Sequence, residues 1–166
     1  MTLSSSPTST VSGLPTWELA ELVREIAADE AAWAPLVQFG TDERWWTRLR
    51  SDDIVDVWLL TWLRGSGTDL HDHGGSRAAF TVVEGMLNEV RAYPRGDATT
   101  ISTVRPGGIR EVAADVIHDV RNPSSLAAIS IHAYSPPLES MTFYDARPSG
   151  LHARRTVPTN SPEPTP

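Results

Sequence analysis

Residues 70–85 read Leu70-His71-Asp72-His73-Gly74-Gly75-Ser76-Arg77-Ala78-Ala79-Phe80-Thr81-Val82-Val83-Glu84-Gly85. Two histidines one residue apart run into a Gly-Gly pair, and the Phe, Thr and Val of 77–83 then predict a β-strand closed off by Gly85. Successive side chains of an extended chain point to opposite faces, so His71 and His73 share one face while Asp72 points away. Working outward, runs rich in Val, Ile, Trp, Thr and Tyr between Gly and Pro recur at 55–63, 86–93, 100–104, 115–120, 126–134 and 140–144. Short strands with a turn every eight to twelve residues or so predict a sandwich or barrel. Upstream, Trp17, Leu19, Leu22, Val23 and Ile26 recur at helical spacing, with Thr16 in the N-cap place and Pro15 just outside it. A second short helix is expected over 31–39. Helices ahead of a run of strands make an α+β chain dominated by a small barrel.

The ends differ in composition from the middle. Residues 2–13 are almost all Ser, Thr, Pro and Gly, and 158–166 alternate Pro with polar residues. Such segments bury too little apolar surface to offset the entropy of ordering. Disordered tails are expected at 1–13 and 156–166, with one folded domain over 14–155, long enough for a real core.

With 14 Lys plus Arg against 21 Asp plus Glu, the 166-residue chain carries a formal charge of -7. An acidic balance disfavours nucleic acid and anionic membrane surfaces, which require basic groups. There is no cysteine, so disulfides, a thiolate nucleophile, Cys-ligated zinc and iron–sulfur clusters are excluded. Only His, Asp and Glu are left to hold a metal. No run of about 18 apolar residues and no signal-like N-terminus occur, and a soluble, cytoplasmic monomer is expected.

The metal reading grows from the histidines. An HxH pair lets two imidazoles reach one ion, and His118, in Val116-Ile117-His118-Asp119-Val120, has the apolar neighbours of a buried strand. Three of the five histidines are therefore expected in strands of one barrel. His152, beside Arg154 and Arg155, reads as solvated, and Asp69 and Asp72 as turn and outer-face residues. Trp58 and Trp62 read as core. Ser130, His132 and Tyr134 alternate along one strand, so all three face one side as a hydrogen-bonded row. They do not form a nucleophilic triad, because hydroxyl and imidazole lie on one flat strand and no oxyanion-hole loop accompanies them.

These residues resemble a family. Gly65, five residues, His71-Asp72-His73 and then Gly85 resemble the first cupin motif, and Gly107, His118 and Asn122 partly match the second. The cupin Glu would fall at Arg77 or Ala78, and the Pro and Gly of the second motif are Ala113 and Asp115. What remains, three histidines without the usual carboxylate, resembles the cysteine dioxygenase type I family of cupin thiol dioxygenases. Trp46-Thr47-Arg48, His71-Asp72-His73-Gly74-Gly75-Ser76 and Ser130-Ile131-His132-Ala133-Tyr134-Ser135-Pro136-Pro137 resemble three further segments of that family.

The resemblance implies a mainly β fold, a small cupin (jelly-roll) barrel preceded by two or three N-terminal helices. It implies Fe(II) held by His71, His73 and His118, with O2 and a small thiol as substrates and L-cysteine as the thiol. Arg48 would receive the substrate carboxylate, since a guanidinium fork makes two charge-assisted bonds to such a group. Arg at this place points to cysteine, whereas family members that use 3-mercaptopropionate carry Gln. Trp46, which stands where the family has Tyr, would line the substrate with Arg48 and Tyr134, and Tyr134, His132 and Ser130 would be catalytic. Some members crosslink this Tyr to a Cys whose place is Ala78 here, so Tyr134 works without a thioether. Arg77 stands where the family has a small residue, and nothing in the sequence accounts for it. Three neutral imidazoles leave the ion its full charge and open positions, which a thiolate and an amine would fill beside O2. A thiolate becomes a sulfinate by losing four electrons, as many as O2 accepts, so no flavin or nicotinamide is needed. Three other readings stay open: a dioxygenase for another small thiol such as 3-mercaptopropionate, a zinc hydrolase, which needs a nearby general base, and a non-catalytic cupin that senses a metal or small ligand.

Overall fold

A computed structural model describes residues 13–41, 44–92, 99–159 and 161–162. Helix α1 (Thr16–Ala28) is followed by the single turn α2 (Glu30–Trp33), which tightens into a 3-10 turn at Ala34–Leu36. Ten strands follow: β1 (Trp45–Ser51), β2 (Asp56–Trp62), β3 (Arg77–Glu84), β4 (Leu87–Ala92), β5 (Thr99–Val104), β6 (Ile109–Val112), β7 (Ile117–Arg121), β8 (Ala128–Ser135), β9 (Ser140–Arg147) and β10 (Gly150–Pro158).

Three antiparallel groups make the architecture: a five-stranded sheet in the order β1-β2-β8-β3-β6, a three-stranded sheet β5-β4-β7, and the pair β9-β10. The segment 67–71 joins the two smaller groups. Gly67 bridges Arg121, and His71 bridges both His118 of β7 and Phe143 of β9. The large sheet then faces the smaller ones across a barrel.

Period-two alternation explains why the large sheet is buried on both sides. On β2 and β8 the odd positions Val57, Leu59, Ile129, Ile131 and Ala133 pack with Leu19, Ala20 and Val23 of α1. The even positions Trp58, Leu60, Trp62, Ala128 and Tyr134 turn inward to meet Phe80, Leu87, Val104 and Val120. All eight residues of β8 are buried, which places Ser130, His132 and Tyr134 on its barrel face. This mainly β cupin arrangement with N-terminal helices is the one the sequence implies.

Several local expectations are corrected. Thr16 is the first helical residue rather than the N-cap, which is Pro15. Its hydroxyl leaves the helix end and donates to Glu111 Oε2 at 2.6 Å. The second helix stops at Trp33, because Pro35 interrupts the backbone donors that would carry it to residue 39. β1, β6 and β10 were not predicted as strands. β10 runs through Pro158, three residues past the Arg155 boundary, by pairing with β9. His73 lies on no strand and His71 only on isolated bridges. The expected tail at 1–13 falls, Gly13 apart, outside the described residues, as does Tyr93 at the end of the predicted strand 86–93.

Candidate metal centre and the polar row beside it

Backbone pairing delivers the three histidines. His71 and His118 exchange N–H···O=C bonds of 2.9 Å in both directions, which sets their side chains next to each other. His73 follows two residues on and is held by the turn behind it. Gly74 has φ +60°, and a Cβ there would lie 2.6 Å from the Ser140 carbonyl oxygen, so no larger residue fits. Asp72 braces the same turn: its carboxylate accepts from the Gly74 N–H at 2.9 Å and from the Tyr144 hydroxyl at 2.6 Å. It is therefore a structural residue, in keeping with the outer-face role read from the sequence.

His71, His73 and His118 are each at most 2 % exposed, and one ring nitrogen from each lies within 4.8 Å of the other two. His118 Nε2 stands 3.3 Å from His73 Nε2. The outward nitrogens explain the orientation. His71 Nδ1 donates to the Asp69 carbonyl at 2.8 Å and His118 Nδ1 meets Glu89 Oε1 at 2.9 Å. With Nδ1 protonated against an acceptor, Nε2 carries the lone pair and points inward. Burial, followed by the neighbouring His118, pushes His71 and His73 well below the usual histidine value, which keeps them in the neutral form that ligates metals. His118 Nε2 and His73 Nε2, 3.3 Å apart in a buried site, are close enough to share one proton or to reach one cation. The donor set therefore fits a divalent ion.

Behind His118, Glu89 is 1 % exposed. Its Oε2 accepts from Arg110 Nε at 2.6 Å and lies 3.1 Å from Arg91 Nε. Burial would raise the Glu89 carboxyl, but His118, Arg110 and Arg91 outweigh it and hold it down at about 2.

The polar row lies across the barrel on β8, and its hydrogen bonds have a direction. Trp62 Nε1, a donor only, gives its proton to Ser130 Oγ at 2.8 Å. Ser130 then donates to His132 Nε2 at 2.8 Å, which leaves the proton of His132 on Nδ1, 3.4 Å from the Tyr134 hydroxyl. The His132 ring stacks on Phe80 at 4.8 Å. Burial first, then His118 and Arg44, depress it to about 3, so it stays neutral. The Tyr134 ring ends the row 5.0 Å from the ring of His73, which brings row and histidine cluster into one site.

Arg48 and Trp46 enter from β1. Trp46 packs edge-on against Trp58 at 5.0 Å. Arg48 lies with its guanidinium 4.2 Å over the Trp58 ring and its Nε 3.6 Å from the buried Asp56 carboxylate. In register, Trp58 faces His132 and Asp56 faces Tyr134, so both β1 residues sit at the rim beside the row. Ala78 is the register partner of Tyr134. His152 is exposed. Arg77 reaches the Gly13 carbonyl at 3.4 Å, an anchor for the segment ahead of α1.

Sequence reasoning missed Glu89, the donor role of Trp62, and Arg44, whose guanidinium lies 4.9 Å over the Trp62 ring. The period-two spacing of Trp62 from Trp58 and Leu60 was a signal for the barrel face. Glu89 and Arg44 had none, since each looks like an ordinary charged residue until the strands are paired.

Comparison with known proteins agrees with this geometry. The chain is 28% identical over 148 residues to cysteine dioxygenase type 1 of Danio rerio, covering 81% of this chain and 72% of that protein. It is 27% identical over 141 residues to cysteine dioxygenase type 1 of Homo sapiens, covering 78% and 70%. Among solved structures it resembles a protein of Thermus thermophilus with TM-score 0.55 and 19% identity, covering 62% of this chain and 92% of that one. A cupin superfamily protein of Desulfitobacterium hafniense matches with TM-score 0.53 and 13% identity, covering 63% and 87%. The family model of cysteine dioxygenase type I matches residues 16–147, most of the described strands and both sets of buried polar side chains, and the chain belongs to that family.

Proposed function

We propose that this chain is a thiol dioxygenase that uses Fe(II) and O2 to convert L-cysteine to cysteine sulfinate. The observation that carries the reading is the convergence of three buried imidazoles, without a carboxylate ligand, beside the phenol of Tyr134. Iron held by His71, His73 and His118 would supply open positions at which a thiolate and O2 are brought together. A substrate thiolate adds the negative charge that the three imidazoles lack, which favours a thiol over a neutral substrate at this site.

The remaining residues bind and orient. Arg48, at the rim, offers its guanidinium to the substrate carboxylate, with Trp46 and Trp58 as the apolar wall behind it. Charge-assisted bonds of this kind are worth about 1.5–3 kcal/mol each. Tyr134 is at once a hydrogen-bonding partner for the bound substrate and the end of a directed row. Because His132 Nδ1–H points toward its oxygen, the phenol is held with its ring against His73 and has a donor behind it. Four electrons leave the sulfur and four enter O2, so both oxygen atoms end in the sulfinate and no external reductant is consumed.

The test is oxygen uptake by iron-loaded protein with L-cysteine, 3-mercaptopropionate and cysteamine in parallel, the products identified by mass. Sulfinate chiefly from cysteine is the expected result. Preference for 3-mercaptopropionate keeps the reaction and overturns Arg48 as the determinant of substrate. No uptake with any thiol by protein that holds iron favours the sensing cupin instead.

A further inference from the structure

We infer that Glu89 is a positioning residue for the metal centre, returning to it, one residue behind His118, the carboxylate that the histidine set lacks. The inference rests on the three-histidine metal reading above. The outward nitrogens of the three imidazoles are treated differently: His71 Nδ1 bonds a neutral backbone carbonyl, His73 Nδ1 has no hydrogen-bond partner among the described residues, and His118 Nδ1 bonds a full carboxylate at 2.9 Å. A carboxylate behind an imidazole fixes the ring's tautomer and rotation and makes the inward nitrogen a stronger donor. His118 is thus set apart as the strongest ligand of the three, and its ring cannot turn without breaking a buried charged contact.

The arginines supply the counterpoise. Arg110 comes from β6 of the large sheet and Glu89 from β4 of the small one, so their 2.6 Å bond also ties the two sides of the barrel together. The carboxylate is therefore shared: Oε1 serves His118, while Oε2 serves Arg110 and Arg91. A merely structural Glu89 would need only the second set. The first set, directed at a ring whose other nitrogen faces His73, is what the inference adds.

Calorimetric titration of the metal-free full chain with Co(II), together with the Co(II) absorption spectrum, separates the two roles. Glu89→Gln keeps the shape and removes the charge. It is expected to weaken Co(II) binding about 10–100-fold and to alter the spectrum. Arg110→Gln removes the tie between sheets but leaves the carboxylate on His118. It is expected to lower the melting temperature while Co(II) binds as tightly as to the parent chain, or more tightly. Equal affinities of Glu89→Gln and the parent chain overturn the inference, as does parallel weakening in both variants. If Glu89→Gln does not fold, Arg110→Gln decides alone, retained or tighter binding supporting the inference and weaker binding overturning it. If the parent chain binds no Co(II), the metal reading itself fails.

Discussion

Two sets of polar side chains are buried in the same barrel, and they are satisfied in opposite ways. The row on β8 is closed on itself: Trp62 donates to Ser130, Ser130 to His132, and His132 points its remaining proton at Tyr134. The cluster of His71, His73 and His118 is held from the back at two of its rings, where His71 meets a carbonyl and His118 meets Glu89. Its front nitrogens face one another. A closed row is satisfied without a ligand, whereas three converging imidazoles offer donors that one cation can gather. In the proposed function, the contrast gives metal binding to one side of the barrel and proton holding to the other.

The largest effect expected from this contrast is at the open cluster. His118→Ala should abolish iron binding, lower turnover by more than about 100-fold, beyond what losing an outer partner costs, and remove the stabilisation that metal gives. In the parent chain, metal at about 100 times its Kd should add about 2.7 kcal/mol, roughly 5–10 °C in Tm for a chain of this size. Ser130→Ala should leave that metal-dependent rise intact. Metal analysis and melting curves with and without Fe(II) check both statements.

Next in size is the end of the row. Tyr134→Phe should lower kcat by about 100-fold, in the range of a lost proton-handling group, with little change in KM for the thiol. An unchanged kcat at saturating substrate removes Tyr134 from the chemistry. Ser130→Ala should act on stability, since it strands the Trp62 N–H and His132 Nε2 at a cost of about 1–3 kcal/mol each. Urea unfolding of the metal-free protein measures that loss.

The smallest step is with pH. His71, His73 and His132 all have depressed values in the fold, His132 at about 3. Below the ordinary histidine value, about 6.5, the unfolded chain takes up protons that the folded chain refuses. Stability is therefore fully present above that value and falls as pH drops toward the folded values, by about 1.4 kcal/mol per pH unit for each such imidazole. Metal-free unfolding at pH 7, 6 and 5 should show the decline, and a flat profile would mean that the cluster is already protonated in the folded state.

The two sets were not equally legible in the sequence. His71 and His73 could be paired from spacing, and Ser130, His132 and Tyr134 from alternation, because both patterns are local. What closes and supports them is not local. Arg110 and His118 lie 21 and 29 residues from Glu89, and Trp62 lies 68 residues from Ser130. Asn88-Glu89-Val90-Arg91 reads as a charged strand edge until β4 pairs with β7. The missed strands have the same cause. β1 and β10 carry Arg48, Arg50, Arg154 and Arg155, so they look like loop or tail, and their pairing with β2 and β9 supplies the order. The expectation that His71 and His73 sit in a strand failed because the Gly74-Gly75 turn ends the extended segment there.

The most direct test of the central claim is a single-turnover reaction of iron-loaded protein with L-cysteine under 18O2, with the product weighed by mass spectrometry. The predicted product is cysteine sulfinate carrying two labelled oxygens, one O2 consumed for each. Cystine alone, or a product with only one labelled oxygen, would contradict it.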